Sequence, residues 1–104
     1  MTNYVLLYGG GSMPEGEEAQ KQVMDAWGAW FGQLGDSLVD GGNPFVPGAR
    51  SIGAGGTVTD ASGALATGYS VIKADSIADA VEKAKGCPVL GGGATVTVYE
   101  TLPM

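Results

Sequence analysis

The sequence has no histidine, and Cys87 is its one cysteine among 104 residues. Histidine is the commonest general base and the usual protein ligand of haem and zinc, so those chemistries lack their main side chain here. A single cysteine cannot form an intrachain disulfide, and nothing in the sequence indicates an oxidising compartment. We therefore expect no metal site and no bound cofactor.

Positive charge is also scarce, because five basic residues stand against eleven acidic ones and the net charge is −6. The basic residues are scattered along the chain: Lys21, Arg50, Lys73, Lys83 and Lys85. This argues against nucleic acid and anionic membranes as partners. The N-terminal segment has no basic region and only a short apolar run. We therefore expect neither a signal peptide nor a membrane span, and we expect a cytoplasmic protein.

The first half of the sequence predicts a strand followed by a long helix. Residues 3–9 are apolar on both alternating faces, which is typical of a strand buried on both sides. Residues 15–40 carry apolar side chains at three- and four-residue steps, which predicts a helix. Ser12 and Glu15 have the spacing of a capping box at its start, and the glycines at 41–42 are expected to end it.

The second half predicts three further strands and a second helix. A short edge strand is expected near residues 50–53, and a more secure strand over 68–73 follows a turn at 60–63. Residues 75–88 predict a helix capped by Ser76 and Asp79, and residues 94–100 alternate as a strand does.

This order predicts one α+β domain over residues 1–104. Strand, helix, strand, strand, helix, strand is the ferredoxin-like βαββαβ motif, with a four-stranded antiparallel sheet and both helices on one face. The opposite face of that sheet is then bare, although the first strand is apolar on both sides. A homodimer that pairs the two sheets would cover the bare face.

Four stretches resemble the YCII-related proteins, especially their DGPF branch: "NYVLLYGG", "LVDGGNPF", "VTDASGALATGYSVIKADS" and "AVEKAKGCPVLGGGATVTVYE". The resemblance runs nearly end to end and implies a dimeric α+β barrel. The DGPF signature falls on residues 60–63, where only its aspartate remains, as Asp60. A helix histidine that some YCII relatives carry, and that has been suggested to pair with an aspartate, corresponds to Trp27. A His–Asp dyad is therefore impossible in this chain.

The glycine loop in "LLYGGGSMPEGEE", residues 6–18, does not match a nucleotide-binding loop. Counting from Gly9, the sixth position of a dinucleotide fingerprint is Pro14, and no Gly-Lys-Ser/Thr sequence occurs. Three glutamates near the start of the first helix would repel a phosphate. The loop is expected to lie beside the sheet, where it can rim a pocket.

Aromatic and polar side chains along the chain predict a pocket between helix and sheet or at a dimer interface. The tryptophans belong to the apolar stripe of the first helix, where packing is their ordinary role, but one of them could line a pocket beside Tyr8. An indole ring suits a flat or aromatic ligand, and the lone arginine suits an anionic one. The predicted ligand-binding residues are Tyr8, Trp27, Trp30, Asn43, Arg50 and Tyr69.

Asp60 is the candidate catalytic residue, as a base whose pKa burial would raise, although capping its own turn is an adequate structural role. Cys87 has no nearby group to lower its pKa and is expected to be a core residue.

Three functions follow. The chain binds a small aromatic or anionic molecule, or it is a cofactor-independent isomerase or monooxygenase using Asp60 or a tyrosine as base, or it is a dimer for protein–protein contact without a ligand site. The sequence does not decide whether the protein is an enzyme.

Overall fold

The computed structural model describes residues 1–11 and 14–103. Within them the chain forms a four-stranded antiparallel sheet, a separate two-stranded hairpin and two α-helices. This confirms the predicted α+β class and is consistent with a ferredoxin-like type. In chain order the elements are β1 (Thr2–Gly10), α1 (Glu17–Leu34), β2 (Leu38–Asp40), β3 (Arg50–Ile52), β4 (Val58–Asp60), β5 (Ala66–Ala74), α2 (Ile77–Ala84) and β6 (Ala94–Glu100).

The main sheet has the strand order β2-β5-β1-β6, with every neighbouring pair antiparallel. In the register of β1, Leu6 lies between Ser70 of β5 and Val98 of β6. Tyr8 lies likewise between Gly68 and Val96. The apolar first strand is thus paired along both of its edges.

Both helices cover the same face of this sheet. Side chains of β1 and β5 alternate between buried and partly exposed, so each strand presents one fully buried row. Those rows and the helices share one core, whose buried residues are Tyr4, Leu6, Tyr8, Trp30, Leu34, Ile72, Ala74, Ala80, Ala84 and Cys87. Neither helix in the described ranges is long and apolar enough to cross a membrane.

The first helix is shorter than the sequence predicts. It ends at Leu34 because Gly35 has a φ of 52°, which glycine adopts without strain. The chain then turns through Gly35–Ser37 into β2, where Leu38 pairs with Ile72. The predicted stop at residues 41–42 is therefore wrong by about two turns of helix. The predicted cap residue Ser12 lies outside the described residues.

The strand expected near 50–53 exists, but it does not join the main sheet. β3 pairs with β4 in a separate hairpin, and the edge of the main sheet is β2 instead. The N-terminus of α2 is as predicted, since the backbone N–H of Asp79 donates to the Ser76 hydroxyl over 3.1 Å.

Two glycines differ in whether the structure has room for a side chain at their position. A Cβ atom at Gly42, which has a φ of 73°, would overlap the carbonyl of Tyr69. A Cβ atom at Gly28, inside α1, would have no atom within 4 Å. We expect Gly42→Ala to lower the free energy of unfolding by about 2 kcal/mol or more.

We expect Gly28→Ala, the matched control, to raise the free energy of unfolding by about 0.5–1 kcal/mol, because alanine favours the helix. Urea unfolding followed by circular dichroism measures both. Equal changes in the free energy of unfolding for the two substitutions would contradict the close contact between Gly42 and the Tyr69 carbonyl.

Candidate functional site

A cleft of about 1100 Å³ opens at one end of the helix-covered face. Its walls come from α1, the loop after β1, the loop after β2, the start of β5 and the turn Pro88–Gly92. Its size is near the upper limit of roughly 300–1,000 Å³ that is usual for small-molecule sites. None of the described side chains that line it carries a charge.

The floor of the cleft is held by a buried chain of hydroxyl groups. The Tyr8 hydroxyl donates to Ser70 Oγ over 2.6 Å, and Ser70 Oγ donates to the Gly41 carbonyl over 2.8 Å. Ser70 is completely buried, so these bonds satisfy a hydroxyl that has no access to water. Gly68 leaves room for the loop after β2, because a Cβ there would lie 3.3 Å from both the Asn43 carbonyl oxygen and Pro44 Cα.

Ionisable groups at the floor stay neutral. Burial raises the pKa of the Tyr8 phenol far above its usual value, and the Ser70 hydrogen bond opposes that rise in part. Burial also raises the pKa of the Cys87 thiol nearby. At neutral pH the Tyr8 hydroxyl at the floor and the buried Cys87 thiol near it are therefore both uncharged, and neither is a charged base or nucleophile.

An aromatic cluster forms the wall that α1 contributes. The Trp27 ring meets the Tyr8 ring edge to face, with centroids 5.6 Å apart, and lies 5.6 Å from Phe31. Such pairs add about 0.5–1.5 kcal/mol beyond the area they bury. Trp30 points away from the cleft, and its indole N–H donates to the Lys83 carbonyl over 3.1 Å. Trp27 thus lines the cleft, whereas the hydrogen bond of Trp30 connects α1 to α2.

The loop after β2 forms the opposite rim. The Gly42 N–H donates to Asp40 Oδ1 over 2.8 Å, which fixes the turn that leads to Asn43. Phe45 then stacks on Tyr69 with ring centroids 5.8 Å apart, and its N–H donates to the Thr67 carbonyl over 2.8 Å. These contacts hold the loop that carries Asn43 at the rim of the cleft.

Four of the residues predicted to bind a ligand meet at this cleft: Tyr8, Trp27, Asn43 and Tyr69. Trp30 is buried in the core and does not line it. Sequence reasoning did not select Gln22 or Phe31, which also line the cleft. Phe31 lay on the apolar stripe of α1, whereas no sequence signal distinguished Gln22.

Arg50 and Asp60 lie elsewhere, on the β3–β4 hairpin. They form an ion pair with 3.3 Å between Arg50 Nε and Asp60 Oδ1, and the side chain of Asp60 is 86% exposed. Arg50 also donates to the Gly48 carbonyl over 2.8 Å. In this position neither the arginine nor the carboxylate lines the cleft, and the carboxylate is not buried as the prediction of a catalytic base required.

The glycine loop contributes backbone to the cleft, since Gly10 and Gly11 line it with positive φ angles of 70° and 77°. No group of three or more potential metal ligands occurs among residues 1–11 and 14–103. The scan against protein-family models finds no match for this chain, and the search of curated proteins finds none either.

Proposed function

We propose that the chain binds a small, flat, uncharged aromatic molecule in the cleft between α1 and the sheet. The observation that carries this proposal is the uncharged lining with aromatic rings on its walls. Trp27 and Phe31 offer broad apolar surface on the side that α1 contributes, and the buried Tyr8 ring lies against Trp27. Aromatic surface of this kind gains most from a ligand that is itself flat and apolar.

Amide groups at the rim would orient such a ligand. Gln22 and Asn43 both line the cleft, and each amide offers N–H donors and a carbonyl acceptor. An anionic ligand is disfavoured, because Arg50 is paired on the hairpin while α1 begins with Glu17 and Glu18 close to the lining.

Binding without turnover fits the site better than catalysis. The Tyr8 phenol is a poor proton acceptor, since its raised pKa keeps it protonated and its O–H already donates to Ser70. Asp60 is ion-paired outside the cleft. The uncharged floor therefore favours a binding protein over the isomerase or monooxygenase alternative.

The ligand class is tested with 2-naphthol and 2-naphthoate, which have the same ring system but are neutral and anionic at pH 7. We expect 2-naphthol to bind at least about tenfold more tightly, a difference of about 1.4 kcal/mol. In NMR titrations the indole N–H signal of Trp27 should shift, and that of Trp30 should stay in place because the indole N–H of Trp30 is bonded inside the core.

Trp27→Ala should weaken the binding of 2-naphthol about tenfold, because it removes the main aromatic contact. Ala29→Ser, on an exposed position of the same helix, is the control. Equal or tighter binding of 2-naphthoate would contradict the uncharged class. Failure of both probes to shift the Trp27 signal would contradict the cleft as the site.

We also propose that the chain is a relative of the YCII-related proteins and forms a homodimer of the dimeric α+β barrel type. The α+β fold with its four-stranded antiparallel sheet supports this. The sheet face opposite the helices, hereafter the outer face, supports the proposal as well. On this face Val5, Leu7 and Val71 lie side by side and are only partly buried. A second copy packed on the outer face would bury this apolar row.

Val71→Lys places a charge in the middle of the outer face and should convert the dimer to a monomer, since an unpaired charge in an interface is strongly unfavourable. Ala29→Lys adds the same charge on the exposed side of α1 and should leave the dimer intact. Sedimentation equilibrium measures both variants. A Val71→Lys protein that remains dimeric would exclude the outer face as the interface.

A further inference from the structure

A hairpin arm, residues 46–60, extends from the edge of the main sheet into solvent. It contains β3 and β4, whose strand partners are each other, and every residue in it is exposed. Isolated two-stranded hairpins are marginally stable in water. An element of this kind usually gains its stability from something that packs on it.

The arm is amphipathic. Ile52 pairs with Val58 on one face, whereas Ser51 pairs with Thr59 on the other. Ile52 is 72% exposed and Val58 is 58% exposed, so most of the surface of this apolar pair is open to solvent. By the alternation of side chains along a strand, the Arg50–Asp60 ion pair shares the face of Ile52 and Val58, so that face carries one apolar pair beside one neutralised ion pair.

The chain also exposes more surface to solvent than a typical compact monomer of the same mass. It exposes 6961 Å², whereas a folded monomer of 10.4 kDa exposes about 5,400 Å². Its radius of gyration is 15.2 Å, against about 13 Å for a compact domain of this length. The excess surface, on the order of 1,500 Å², exceeds the roughly 800 Å² that each partner buries in a standard interface.

Charge favours a second copy of the same chain as the partner. A protein with a net charge of −6 repels its own copies unless the meeting surfaces are close to neutral. The arm carries one arginine and one aspartate, and these are paired with each other as Arg50 and Asp60. Its net charge is therefore zero, and it can approach another copy without repulsion.

The base of the arm lies on the side of the sheet where a second copy is proposed to bind. Phe45, the residue before the arm, stacks on Tyr69. Tyr69 pairs with Leu7 in the sheet register and so belongs to the outer face. The arm therefore leaves the domain next to the apolar row of that face.

We infer that the arm closes over a second copy of this chain, with the Ile52–Val58 face against that copy. The inference rests on the proposed homodimer and adds a second contact to it. In a two-fold dimer each copy contributes one arm, so both apolar pairs become covered together. The polar Ser51–Thr59 face remains in water.

The test compares three variants with the wild-type chain by sedimentation equilibrium. Ile52→Lys should raise the dimer dissociation constant at least about tenfold, because it places an unpaired charge in the contact. The double variant Ile52→Ser with Val58→Ser should raise it in the same direction without adding charge. Ser51→Lys, on the opposite face of the same strand, should change it less than about threefold.

Circular dichroism should be the same for all three variants, since each altered side chain is exposed in the single chain. If the wild-type chain is dimeric and Ile52→Lys has no more effect than Ser51→Lys, the arm is not part of the contact and the inference fails while the outer-face dimer stands. If Ile52→Lys weakens the dimer and Val71→Lys does not, the arm is supported and the outer-face interface fails. A monomeric wild-type chain overturns both and leaves ligand binding in the cleft to its own test.

Discussion

The buried hydroxyl chain from Tyr8 through Ser70 to the Gly41 carbonyl is the interaction on which the cleft depends. It connects the central strand, its neighbour and the loop after β2, which are far apart in sequence. Because Ser70 has no access to water, losing either hydrogen bond would leave a buried polar group unpaired. The loop that carries Asn43 is therefore fixed to the sheet by an interaction that is costly to break.

The shape of the cleft follows from small residues beside large ones. Gly68 leaves room for the backbone of Asn43 and Pro44, and Gly42 lets the same loop pass close to the Tyr69 carbonyl. The opposite wall consists of the large aromatic rings of α1, where the Trp27 ring contacts the Tyr8 ring edge to face. The uncharged hydroxyl floor and the aromatic wall are the two features on which the proposed recognition of a flat molecule rests.

The sequence predicted those elements whose signals are local. The apolar run of β1, the Ser76 cap of α2 and the alternation of β6 each lie within a few residues, and each element formed. The end of α1 differs from the prediction because the apolar pattern continues past Gly35 to Leu38, while in the structure Leu38 belongs to β2 and pairs with Ile72, a contact between residues far apart in sequence. The pairing of Arg50 with Asp60 likewise depends on a hairpin that turns at Gly53 and Gly56, whereas the sequence predicts the turn at residues 60–63. For the same reason the sequence could nominate Tyr8 and Trp27 for the cleft, but it could not show that Arg50 lies outside it.

The most direct test of this account is a double-mutant cycle on the hydroxyl chain, with Tyr8→Phe, Ser70→Ala and the double variant unfolded in urea. Ser70→Ala should cost about 1–3 kcal/mol, because it leaves the Tyr8 hydroxyl and the Gly41 carbonyl without a partner. In the double variant the Tyr8 hydroxyl is absent, so it cannot be left without a partner when Ser70 is replaced. The destabilisation of the double variant should therefore be smaller than the sum of the two single destabilisations by about 1 kcal/mol. Additivity of the two substitutions within about 0.3 kcal/mol would contradict the claim that this chain of hydrogen bonds holds the site together.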